Sequence, residues 1–263
     1  MTIRATVVRY RTVHYFQTQP VTLSRFSVKL AYWCLVRKAH GVPIPKGQGR
    51  WAGMPFIVEW PVAWCSVRCD SLTKKQEWRA YKLMHFVGSA TVRLCSETSC
   101  FCGEQVADLW HGIFDCHRAR ALWSIVEGWW GRLGGSSPVS HPMCKITLPN
   151  NQMRSEVPWQ VWRLLCACMI DVLWIDWTRW VHEGVGSSEA ELRREWAERV
   201  HESITVIWVR ARRLEREYDT HVHYVPGCAW SQPKIYHESS FIMKWCGPLG
   251  SVVNGVWVST AAL

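Results

Sequence analysis

Apolar residues recur along this chain at steps of three and four, the spacing of one face of an α-helix, and five segments carry the pattern clearly enough to predict helices. In the first, residues 23–38, Phe26, Leu30, Trp33 and Cys34 fall at helical spacing and Ser24 stands as N-cap. In the second, Leu72, Trp78, Tyr81, Leu83 and Phe86 alternate with basic residues, and Ser71 or Thr73 caps the start. The third takes Asp115 as its cap and sets Ala119, Leu122, Trp123, Ile125 and Trp129 on or near a buried stripe. A tryptophan-rich fourth covers residues 158–181. The fifth, residues 187–218, repeats Leu192, Trp196, Val200, Ile204, Ile207, Ala211 and Leu214, a stripe able to pack on the fourth as a hairpin turning at Gly-Val-Gly-Ser-Ser.

The segments between them lack this period. Residues 1–22 alternate β-branched and basic side chains, as a strand or a poorly ordered arm would. The run GVPIPKGQGR is a connector. Residues 134–157, rich in Gly, Ser, Pro and Asn, read as a linker, and residues 220–263 as an irregular tail. The expected fold is mainly α: a basic helical region over 23–133, the linker, then a helical hairpin over 158–219.

Composition changes this picture in two ways. Of 263 residues, 48% are hydrophobic and 19 are Trp, enough to bury a sizeable core and too apolar for overall disorder. Indole rings bury large areas while their N–H needs a partner, which suits helix contacts. The net charge of +10 is also uneven: residues 1–95 carry fifteen Lys and Arg against Glu59, Asp70 and Glu77, whereas the remainder is slightly acidic. Such a surplus attracts polyanions, RNA or DNA foremost, although a solvated basic surface has the same composition. Lys74, Lys75, Arg79 and Lys82 share much of the outer surface of the second helix, and Arg93 follows; these five are the candidate phosphate contacts.

No basic leader followed by an apolar run occurs in residues 1–30, and the apolar stretch around residues 164–177 is broken by Asp171 and Asp176, short of the roughly 20 residues a membrane span needs. An intracellular protein of cytoplasm or nucleus is expected, with no membrane partner. Its twelve cysteines would then be thiols or metal ligands rather than disulfides.

One group of them has metal spacing. CFCGEQVADLWHGIFDC brings Cys100, Cys102, His111 and Cys116 together, a ligand set suited to tetrahedral zinc. Gly103 fits a chain turning sharply behind Cys102. Two features stand against a simple site. Residues 100 and 102 are separated by one residue where two is usual, leaving open that Cys95 replaces Cys100 or that the thiols are only buried core. On a regular helix His111 and Cys116 would lie about 140° apart, so the chain must bend between them, a break assigned here to Asp115 as cap.

These motifs, in this order, resemble the zinc-binding region that follows the polymerase in non-LTR (LINE-type) retrotransposon reverse transcriptases. The counterparts are FSVKLAY, EWPVAW, KKQEWRAYKL, the Cys/Cys-Gly-Glu/His/Cys cluster and ARALW, with LWIDWTRWVHE downstream; Arg179-Trp180 departs from the family's Arg-Asn. The resemblance covers about residues 23–215 and implies a helical, zinc-pinned module that helps hold template RNA or target DNA beside a separate polymerase domain. Its ligands would be Cys102, His111 and Cys116, with Cys100 the fourth. Polymerase chemistry needs neighbouring carboxylates to hold two metals, and none of the six Asp is adjacent to another, so no catalytic role is expected. A zinc-stapled scaffold for another helical protein, and a non-functional relic of such an element, are the alternatives.

Overall fold

The computed structural model describes residues 3–7, 17–21, 51, 55–85, 99–104, 108–220, 241–242, 245–247 and 249–259. The helix expected over 23–38, Arg93 and Cys95 lie outside these residues. The fold is mainly α-helical. In chain order the elements are strands β1 (Ile3–Val7) and β2 (Gln17–Val21), helices α1 (Trp60–Val67) and α2 (Lys74–His85), a π-helical turn (His111–Asp115), helices α3 (His117–Arg132), α4 (Pro142–Ile146), α5 (Asn151–Glu156), α6 (Trp159–Glu183) and α7 (Glu189–Thr220), and strands β3 (Gly250–Val253) and β4 (Val256–Ser259).

Helix α6 is the hub. From Val161 to Leu173 every side chain is buried, and a helix apolar all round is stable only with neighbours on every side. Helices α2, α3, α4, α5 and α7 and the π-helical turn all pack on it. Its two carboxylates are each met by a cation from a different element: Asp171 pairs with Arg79 of α2, and Asp176 with Arg118 of α3. Arg163, fully buried, donates to the carbonyls of Ser66 (3.1 Å) and Lys145 (2.7 Å), tying α6 to the end of α1 and to α4. Desolvation lowers its pKa from the ordinary value.

The hairpin forms as the periodicity predicts. Leu192, Trp196, Val200, Ile204 and Ala211 are buried and Ile207 is partly buried against the core, while Trp208, also buried, faces Phe241 and donates to the Gly255 carbonyl; the side chain of Leu214 lies outside the described residues. Ser188 and Glu191 close a capping box at the start of α7, the Ser188 N–H donating to Glu191 Oε2 (2.7 Å) and the Glu191 N–H to Ser188 Oγ (3.2 Å). Thr73 and Gln76 do the same for α2. Several tryptophans act as donors with buried rings: Trp123, Trp162 and Trp196 give their N–H to the carbonyls of Ile113, Cys144 and Leu165, whereas the buried N–H groups of Trp130, Trp177 and Trp257 find no protein acceptor.

Three expectations are corrected. Residues 134–157 are not a linker: they carry α4 and α5, and Met143, Cys144, Ile146 and Leu148 are completely buried in the core that α6 shares. Helices of five and six residues are too short to show a period, so only their turn-forming residues were legible. The hairpin therefore does not stand apart from the basic region. The tail is not wholly irregular either, because β3 and β4 pair antiparallel and set Trp257, with Phe241 and Trp245, against Trp208 of α7. At the other end, β1 and β2 form an antiparallel pair, the strand alternative for residues 1–22.

Candidate metal centre

Two short stretches of backbone build the cluster. In the first, the Gly103 N–H returns to the Cys100 carbonyl (2.9 Å) and the Cys100 N–H to the Glu104 carbonyl (2.8 Å), curling residues 100–104 into a tight knuckle. Gly103 sits at φ +90°, where a side chain is strained. The curl overrides the alternation of an extended chain, so residues two apart turn to the same side.

The second stretch is the π-helical turn. Asp108 accepts the His111 N–H at 2.8 Å and starts the turn, and the Cys116 N–H closes on the His111 carbonyl at 2.8 Å. A turn closed between residues five apart is wider than an α-turn and brings residues 111 and 116 to nearly the same face. This is the bend the spacing required, but Asp115 does not supply it. Asp115 is exposed, and the N-cap of α3 is Cys116, without a side-chain cap bond. The signal for Asp108 was present in the sequence as an Asp three residues before a helical His.

The result is a convergence of four soft or borderline ligands. Cys100 Sγ, Cys102 Sγ, the His111 ring and Cys116 Sγ all lie within 4.8 Å of one another. Cys100 Sγ and Cys116 Sγ are 3.7 Å apart, and Cys102 Sγ and His111 Nε2 3.2 Å. Metal–sulfur bonds of about 2.3 Å and metal–nitrogen bonds of about 2.0 Å at tetrahedral angles require separations of roughly 3.8 and 3.5 Å. The donor set thus fits a tetrahedral ion, with the widest pair closing by about 1 Å at most. Cys100, which the one-residue gap had placed in question, is among the four.

The electrostatics are those of a site that wants a cation. Burial, reinforced by the neighbouring Cys116, pushes the Cys100 thiol up to about 12. For Cys102 burial also acts upward, but the Glu104 N–H and contacts from His111, Cys100 and Cys116 outweigh it and bring the thiol down to about 7. Thiolates this close would repel one another, and a bound divalent cation would remove that penalty.

The knuckle is held to the hub by residues that sequence reasoning had not singled out. Trp180 of α6 donates to the Ser99 carbonyl (2.7 Å) and meets Phe101 edge to face at 5.3 Å. Arg118 lies over the Phe101 ring at 4.7 Å while pairing with Asp176 and the Ser187 carbonyl. Gly112 backs onto the Trp177 ring so closely that a Cβ there would overlap it.

The candidate phosphate contacts divide. Lys74 and Lys75 are exposed, Lys74 within 2.7 Å of Glu77. Lys82 is half-buried, its Nζ 3.5 Å above the centre of the Trp78 ring. Arg79 is corrected: it is buried on the inner face of α2 and committed to Asp171, so it is not free to meet phosphate. A carboxylate carried into the core by the apolar α6 needs that cation.

No family model matches this chain, and neither the curated proteins nor the solved structures yield a match. Among the described residues no helix is long and apolar enough to cross a membrane.

Proposed function

We propose that this chain is a non-catalytic zinc-binding module that contacts the phosphates of RNA or DNA, as the C-terminal region of a retrotransposon reverse transcriptase would beside its polymerase. The convergence of Cys100, Cys102, His111 and Cys116 carries the reading. Four protein ligands complete a tetrahedral shell and leave no position for a reactive water, so the zinc is structural and no hydrolytic chemistry follows. The basic surplus of the first 95 residues, with Lys74 and Lys75 exposed on α2, supports the polyanion partner.

Two titrations test the two halves. Cobalt(II) added to metal-free protein should develop the intense absorption of a tetrahedral thiolate complex, absent from Cys102→Ser; a spectrum of hexa-aquo cobalt alone would overturn the zinc assignment. Affinity for RNA or DNA should fall steeply with salt, and Lys74→Ala/Lys75→Ala should flatten that slope. Binding that ignores salt, or none, would overturn the second half.

A second reading, a zinc-stapled scaffold for another protein, draws on exposed apolar residues: Val206 and Val209 of α7, Ile242, and Val253, Val256 and Val258 of the C-terminal hairpin. Self-association in light scattering without nucleic-acid affinity would favour it.

A further inference from the structure

Among the described residues Trp78 is the one exposed tryptophan, at 54% of its surface, and the other described indoles are wholly or partly buried. It lies on the outer face of α2 three residues before Tyr81, itself 49% exposed, so the two rings are neighbours on the helix surface. Tyr81 continues into an aromatic group with Trp64 (5.9 Å) and His85 (4.4 Å). The Lys82 ammonium covers one face of the Trp78 ring, 3.5 Å from its centre, leaving the opposite face to receive a ligand, and it also lies 5.8 Å from the half-buried Trp174 ring of α6. Lys74 and Lys75 stand one turn earlier on the same helix. Leaving large apolar rings in water costs free energy that a buried position would recover, and these two sit at the border of that aromatic group and a lysine-rich helix face, on which Lys74 also pairs with Glu77.

Aromatic faces open to solvent and interleaved with lysines match the needs of unpaired bases on a phosphate backbone: the rings stack on bases and the ammonium groups follow the phosphates. Duplex offers the same phosphates but hides its base faces in the stack. Building on the nucleic-acid reading above, we infer that the outer face of α2 is a stacking platform for single-stranded nucleic acid, with Trp78 and Tyr81 receiving bases and Lys74, Lys75 and Lys82 the adjoining phosphates.

The test uses the full chain loaded with zinc, a fluorescein-labelled oligouridylate of about fifteen nucleotides and a hairpin duplex of matched charge, followed by anisotropy across a salt series. Trp78→Ala and Tyr81→Ala should each weaken the single strand about tenfold without altering its salt slope or the affinity for duplex, and Trp78→Phe should restore much of the loss. Lys75→Ala should instead flatten the salt slope for both probes. Because both rings are exposed, the variants should keep the melting temperature of the parent. Equal affinity for strand and duplex, untouched by Trp78→Ala, would overturn the platform while leaving the phosphate-binding reading in place. No affinity for either probe at low salt would overturn both. Self-association abolished by Trp78→Ala, with no affinity for the oligonucleotide, would assign the face to a protein partner instead.

Discussion

The knuckle at residues 99–104 and the α6–α7 hairpin are neighbours built by opposite means. The hairpin is held by a long seam of buried side chains, Leu192, Trp196, Val200, Ile204 and Ala211, against a helix that is itself core. Its stability is spread over many contacts, each contributing a small share. The knuckle is a short irregular loop whose Phe101 remains half exposed, held by a few backbone bonds and the contacts of Trp180 and Arg118, with its Cys100 and Cys102 brought within 4.8 Å of His111 and Cys116. Burial degrades gradually with each deletion. A tetrahedral site with one ligand missing loses most of its affinity at once, because the other donors have nothing left to organise them.

Substitutions in each region should expose that difference. The largest expected effect is in the hairpin: Trp196→Ala removes a fully buried ring and the hydrogen bond to Leu165, and should lower unfolding free energy in urea by about 3–5 kcal/mol while the folded fraction still binds metal. A loss under about 1 kcal/mol would show that the seam is not the core it is described to be. Next, Arg79→Ala should cost about 3–5 kcal/mol by stranding Asp171, whereas replacing the pair by Met and Leu should be nearly neutral. If the single and double replacements are equally damaging, the cost lies in lost packing rather than in an orphaned charge.

Gly112→Ala joins the two regions. A methyl there collides with Trp177, and overpacking of this kind should cost about 1–3 kcal/mol and displace His111 beside it, so a chelator should strip zinc from the variant faster than from the parent. Unchanged metal retention would separate the ligands from the hub.

The smallest effect is on pH. Burial lowers the pKa of His85, and burial with the nearby Lys145 lowers that of His141, whose Nδ1 accepts the Met143 N–H at the start of α4 (3.2 Å). The folded chain then holds fewer protons than the unfolded one below the ordinary histidine pKa of about 6.5. Their contribution is fully present above that pH and is lost as pH falls through the depressed values. The urea midpoint should therefore drop as pH falls below about 6.5. His141→Asn keeps a cap and should make that drop shallower; an unchanged slope would remove His141 from the account.

How much was legible beforehand follows the same division. The hairpin and α2 were readable because apolar positions at steps of three and four dictate a face, and the ligand types of the cluster were readable because few chemistries put three Cys and one His so close. What escaped was decided by three-dimensional neighbours. Arg79 looked like one more lysine-like charge on a solvated helix, yet the presence of Asp171 inside an apolar run already demanded a buried cation from somewhere. The π-helical turn could not be read because α- and π-turns share residue preferences and differ by one hydrogen bond. Residues 142–156 show no period because their two short helices hold too few apolar positions, although Met143, Ile146 and Leu148 are as deeply buried as anything in α6.

The central claim is that Cys100, Cys102, His111 and Cys116 hold one metal ion together. Elemental mass spectrometry on purified chain, beside Cys102→Ser and His111→Ala, measures it directly. About one zinc per chain in the parent and little in either variant, with the hairpin helices still present in circular dichroism, is the predicted result. A well-folded parent without zinc, or variants that retain it in full, would contradict the account.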